Sequence, residues 1–384
     1  MPAPTADIST SSKRILPLDG LRGIAALTIF FHHTWYFFSE KEHLFGGYLV
    51  VSLFFIISGV VISHVYETNI LLGKINFYTF FTHRLARLYP LHLFSLITAL
   101  IIDLILFSLF YHKHIFMVEP IIFTGFLNLL LLQAVGFGPP CAWVGPSWSI
   151  SVEMVVNAFW FWLLEKKPSS RLLAAIIALC CILMINGDIS DKYHFTEGTP
   201  LILGTPYNLY SIVSFYLLTG TVGFLVGCLF QRFIRRRNSE PLFTGTANAI
   251  LTIPVLAGIA LMLLECNHSA FFQGADYIAV FVLFPLLIVL ALEPMSLLNR
   301  VLSSRLCLFF GKISYSIYLL HVLIWYPIYV IIKAYDLPYL YSPAFGVLLL
   351  TVVIAISTTI HHFVERPSRV WVRNIMGKRQ PSLQ

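Results

Sequence analysis

The residues of this chain that can do chemistry stand inside apolar sequence. In LDGLRGIAALTIFFHHTWYFF, Leu18 to Phe38, Arg22 and His33 are separated by ten residues. At ~100° per residue this step is three turns plus ~20°, so the two share a helix face, with His33 about 16 Å further along the axis. His32 points ~100° away. A neutral imidazole is the side chain best suited to take a proton from a hydroxyl near neutral pH, and ionisable groups within membrane spans are functional by default. The competing reading for each histidine is a packing residue bonded to a nearby carbonyl, and it weighs more for His32 than for His33. Asp19, ~40° off the face, either joins the mouth of the site or caps the helix.

Two further clusters have the same character. In THRLARLYP, Thr82 to Pro90, Arg84 and Arg87 are i and i+3, neighbours on one turn. Paired guanidiniums make bidentate contacts to phosphate, and equally they make anchors at lipid headgroups. In GPSWSISVEMVV, Gly145 to Val156, Glu153 lies one to two turns inside an apolar run. A carboxylate there needs a partner: it either orients and charge-balances an imidazole or holds a structural arginine. The His361, His362 and Glu365 group has helical metal-ligand spacing, but it closes the last apolar run and reads as an interfacial anchor, so no metal site is assigned. No phosphate-binding loop, dinucleotide fingerprint or nucleophile elbow is present.

The elements that must position these residues follow from composition. Of the 384 residues 58% are hydrophobic and 11% charged, more apolar surface than one soluble core can hide. The apolar runs, near 23–38, 47–66, 88–110, 121–135, 148–165, 171–186, 209–230, 244–264, 275–292, 306–332 and 343–363, lack the alternation of barrel strands. The expected fold class is therefore all-α and polytopic in a lipid bilayer. The net charge of +7 reflects topology rather than nucleic-acid binding. With the N-terminus cytoplasmic, every one of the 25 basic residues except Lys41, Lys113, Lys192 and Lys333 falls on the cytoplasmic side. Eleven crossings break that pattern. One of 88–110, 121–135 and 148–165 must not cross, and 121–135 is the best candidate for a re-entrant or half-span. The expectation is about ten transmembrane helices with N and C termini cytoplasmic: a segment 1–17, a membrane domain 18–365 and a basic tail 366–384. The six cysteines lie mostly in apolar runs and read as core filler.

The sequence resembles the membrane-bound acyltransferase family 3. LDGLRGIAALTIFFHH carries the basic residue, ten residues and histidine of that family's opening motif, as Arg22 and His33. VSLFFIISGVVI (51–62), Arg84 and Arg87, WSISVE (148–153) and ISYSIYLLH (313–321) follow in order. The resemblance implies ten membrane helices in a bacterial inner membrane and transfer of an acyl group, usually acetyl from acetyl-CoA, to hydroxyls of carbohydrates or other small acceptors. It makes His33 the base and Arg22, Arg84 and Arg87 the acyl-CoA contacts, with acyl-CoA a cosubstrate and no bound cofactor; Glu153 joins His33 in the catalytic set on the strength of its own position inside an apolar run. Many members carry Asp where this chain has Ser52, so that acid's role is not carried over. A proton-coupled secondary transporter or a glycan flippase is the alternative. Aromatic residues in 193–210 and 335–341 can stack on sugar rings or serve as ordinary interfacial residues.

Overall fold

The computed structural model describes residues 14–39, 45–111, 114–137, 139–186, 215–237, 243, 245–265, 275–294, 296–337 and 341–377. Every regular element among them is helical. The principal α-helices are, in chain order, α1 (Leu16–Thr34), α2 (Leu49–Ile62), α3 (Phe77–Leu106), α4 (Ile121–Leu129), α5 (Trp148–Glu165), α6 (Ser170–Asn186), α7 (Phe215–Arg236), α8 (Gly245–Glu265), α9 (Phe284–Leu292), α10 (Leu297–Leu302), α11 (Arg305–Ala334), α12 (Pro343–Ile360) and α13 (Arg366–Gly377). Seven helical stretches are long and apolar enough to cross a membrane, and two shorter apolar helices accompany them. The protein is a polytopic helical membrane protein.

Two helix pairs form the centre, and glycines let each pair close. A Cβ on Gly20 would collide with the carbonyl of Leu302, one on Gly23 with Phe310 and the backbone of Gly311, and one on Gly311 with the carbonyl of Asp19. The residue numbers rise together, so α1 and α11 run parallel at backbone contact. On the second pair, Gly223 meets Ser52 and Phe55 and Gly227 meets Ile56 and Val60, which sets α2 parallel to α7. Small residues at such crossings are how membrane helices gain van der Waals contact without a hydrophobic drive. The core between the pairs is filled by Leu18, Ile29, Ile56, Val60, Trp160, Phe224 and Leu225.

Helix ends follow local chemistry. Asn76 caps α3 by accepting from Thr79 N–H at 2.9 Å, and Ser304 and Ser342 do the same for α11 and α12. α3 begins well before the apolar run at 88, because its first turns carry the arginines that point into the bundle. α4 has nine residues, about 14 Å of helix, and so cannot cross ~30 Å of hydrocarbon by itself. The chain beyond it is tied to the start of α5: Gln133 donates to the Ser147 carbonyl at 3.1 Å, and the Ser151 hydroxyl donates to the Leu131 carbonyl at 2.7 Å. Cys141, Cys180, Cys181, Cys228 and Cys307 are free thiols, while Cys266 and residues 193–210 lie outside the described residues.

Candidate active site

The parallel pairing of α1 with α11 brings His33 onto His321. Nε2 of His321 is 3.2 Å from Nδ1 of His33, with ring centroids 5.0 Å apart. Each imidazole is also held by the carbonyl one turn back: His33 Nδ1 lies 3.0 Å from the Ile29 oxygen and His321 Nδ1 3.1 Å from the Ile317 oxygen. A carbonyl only accepts, so both rings carry their proton on Nδ1. His33 Nδ1–H is then shared between the Ile29 carbonyl and the lone pair of His321 Nε2, and the lone pair of His33 sits on its own Nε2. His321 is fully buried and sits sixteen residues, ~24 Å, into the 30-residue α11. His32 instead lies against Gly47, where an added Cβ would meet its side chain.

A cavity of about 550 Å³, open solvent at its mouth included, lies on the Arg22 side of this pair, and neither histidine lines it. Arg22, Arg87, Glu153, Ser149, Ser314, Tyr315 and Tyr318 supply its polar lining, and Val51, Phe54, Phe55, Leu88 and Ile150 its apolar walls. Tyr318 joins cavity to histidines, its ring centroid being 6.4 Å from that of His321. The Tyr318 hydroxyl donates to Ser149 Oγ at 2.9 Å, and Tyr315 donates to the Leu88 carbonyl at 2.6 Å, so both rings are fixed.

The two arginines of the R-x-x-R motif part company. Arg84 is 4% exposed and its guanidinium is ion-paired with Glu153, whose Oε1 also accepts from Ser58 at 2.8 Å. Arg87 faces the cavity with Arg22, and neither forms an ion pair among the described residues. Of the two partners considered for Glu153, imidazole or arginine, the carboxylate has the arginine. Asp19 pairs with Arg14 at 2.8 Å and makes no helix cap. The C-terminal group is also internal: Glu365 is buried, accepts from Ser316 at 2.7 Å and is bonded by His361 and Arg369.

His321, Tyr318 and Ser58 are the site residues missed by spacing arguments. His321 was visible as a histidine within an apolar run, but its partner lies 288 positions away. A cavity with two guanidiniums outside any ion pair among the described residues and with apolar walls can bind a phosphorylated ligand, and the imidazole pair reached through Tyr318 can move a proton.

The site sits on the frame of a polytopic helical membrane protein. The chain belongs to the acyltransferase family, whose acyltransferase domain matches residues 15–362. It is 26% identical over 393 residues to O-acetyltransferase OatA of Staphylococcus aureus (strain NCTC 8325 / PS 47), covering 93% of this chain and 58% of that protein. It is 24% identical over 394 residues to YrhL of Bacillus subtilis (strain 168), provisionally named a peptidoglycan O-acetyltransferase, covering 94% and 56%. Protein 2 in the picA locus of Rhizobium radiobacter is 34% identical over 155 residues, 38% of this chain and 80% of that protein. The chain thus spans less than three fifths of the length of OatA and YrhL. No solved structure matches it.

Proposed function

We propose that the protein is a membrane-bound O-acyltransferase that moves an acyl group, acetyl in the first instance, from acyl-CoA to a hydroxyl of a carbohydrate or lipid-linked glycan. The observation that carries this reading is Tyr318, which lines the Arg22–Arg87 cavity and adjoins the His321–His33 pair. Phosphates of the donor pair with Arg22 and Arg87, and Arg84 serves the same end indirectly by holding Glu153. His33 Nε2 removes the acceptor's proton. The resulting alkoxide attacks the thioester carbonyl, the C–S bond breaks, and coenzyme A leaves as a thiolate that recovers the proton from the imidazolium. During the step Ile29 and His321 stabilise the imidazolium through Nδ1–H. Glu153 keeps the cavity's charge from being wholly positive, and its role is positional.

Ten crossings with both termini in the cytoplasm of a bacterial inner membrane fit this reading. The donor then arrives at the α1 N-terminal end, and the acceptor approaches the pair from the other. The curated name of YrhL makes a cell-wall glycan one acceptor to try. The test is thiol release from acetyl-CoA by purified protein supplied with glycan. Turnover with a donor KM raised about tenfold in Arg22→Met and in Arg87→Met is expected, since a charge-assisted bond contributes ~1.5–3 kcal/mol. A protein that binds glycan and releases no thiol from any acyl-CoA is a flippase or transporter instead.

A further inference from the structure

The end of the bundle beyond His33 carries a second cluster that the donor cavity does not use. The last turn of α1 runs into Trp35–Phe37, and there the Tyr36 ring stands 6.2 Å from Trp325, 5.5 Å from Tyr329 and 5.7 Å from Tyr341. The Trp325 ring is 6.1 Å from His33 and tilted 30° to it. Lys333 places its ammonium 5.8 Å from both the Tyr329 and the Tyr341 rings.

Three polar atoms in this cluster are covered and have no hydrogen-bond partner among the described residues: the Tyr36 hydroxyl, the Trp325 indole N–H and the Tyr341 hydroxyl. They come from three separate elements and meet within one ring contact of each other. The rings themselves keep partial exposure. Tyrosine and tryptophan in an interfacial belt show the opposite arrangement, with the ring in lipid and the polar tip in water. Each covered donor left unsatisfied costs about 1–3 kcal/mol, so the cluster is incomplete as it stands.

We propose that Tyr36, Trp325, Tyr329 and Tyr341 form the acceptor subsite, a platform for a pyranose ring that presents one hydroxyl to Nε2 of His33; this rests on the acyl-transfer reading of that histidine. A sugar satisfies both halves of the cluster. Its C–H face packs on the partly exposed rings, and rotamer shifts of the kind common on binding turn the covered indole N–H to its oxygens and the two phenols to its hydroxyls. A hydrocarbon chain would pack on the rings and leave all three polar atoms orphaned. Lys333, held over two of the rings, keeps Tyr329 and Tyr341 facing the same space.

The test is calorimetric binding of an N-acetylglucosamine tetramer to the full chain, in wild type and in Tyr36→Phe, Trp325→Phe and Tyr341→Phe. The tyrosine variants keep the ring and remove one hydroxyl each, Trp325→Phe keeps a smaller aromatic face and removes the N–H, and acetyl-CoA affinity within twofold of wild type shows that the fold is intact. About a five- to tenfold loss of tetramer affinity in each variant is expected from one lost hydrogen bond. Unchanged tetramer affinity in all three, no tetramer binding by wild type, or a wild-type preference for octanol overturns the subsite. Tetramer bound normally but never acetylated would instead refute the base role of His33 and leave the subsite standing.

Discussion

His33 owes its protonation state to two groups that donate no charge, the carbonyl of Ile29 and the lone pair of His321. His321 is accordingly a positioning residue. His321→Ala should lower kcat about tenfold with donor affinity unchanged, and His321→Gln, whose amide oxygen again accepts from His33 Nδ1–H, should recover part of the loss. Rates in both variants equal to wild type would make the pair incidental. The Arg84–Glu153 pair makes a different demand. Removing one partner strands a buried charge at a cost of about 3–5 kcal/mol, while replacing both relieves it. Glu153→Gln should therefore lower the melting temperature sharply, and Arg84→Met with Glu153→Gln should restore most of it, as thermal denaturation in detergent reads. The spacing of Arg22 and His33 predicted one face, and the structure seats Arg22 on the cavity and His33 on His321. The division between Arg84 and Arg87 was not, because i,i+3 neighbours on one turn look alike until the opposing helix supplies a carboxylate for one of them.

The helices themselves were largely written in the apolar runs, and their departures have physical causes. α1 starts at Leu16, ahead of the run at 23, because Asp19 and Arg22 have partners or a cavity that make their burial tolerable. The halting of 121–135 as a nine-residue helix fits the charge pattern that asked one run not to cross. Nothing in local sequence announced Asp103, fully buried near the end of α3, whose Oδ1 accepts from the backbone N–H groups of Ile115 at 2.7 Å and Phe116 at 2.6 Å while His114 meets Oδ2 at 2.5 Å. It ties the loop to the helix. Asp103→Ala should cost at least about 2 kcal/mol by leaving those donors unmatched, and proteolysis should cut first between α3 and α4. At the other crossing, Gly311→Ala pushes a methyl into the Asp19 carbonyl and must part α1 from α11. It should destabilise by about 1–3 kcal/mol and reduce activity beyond that, because the same contact sets the His33–His321 distance. A Gly311→Ala variant with wild-type stability and turnover would show that the helices close by other means.

Taken as one object, the bundle stacks three compartments along α1 and α11: arginines with an open cavity, a buried imidazole pair, and an aromatic cluster with unsatisfied donors. Under the proposed function, an acyl group delivered at one end and a hydroxyl at the other would meet at His33, where little water competes as nucleophile. That division of space predicts separable defects, with donor affinity lost at Arg22 and Arg87, acceptor affinity lost at Tyr36, Trp325 and Tyr341, and chemistry lost at His33 and, to a smaller extent, at His321 behind it. The central claim is the last of these. It is tested by mixing purified wild type, His32→Ala and His33→Ala with radiolabelled acetyl-CoA and glycan, and measuring bound donor and ester formed in the same samples. Wild type should form ester with one thiol released per ester, and His32→Ala should retain most of that rate. His33→Ala should bind the donor normally and form ester at least about a hundredfold more slowly, the usual loss for a missing general base. Ester formation by His33→Ala at the wild-type rate would contradict the account.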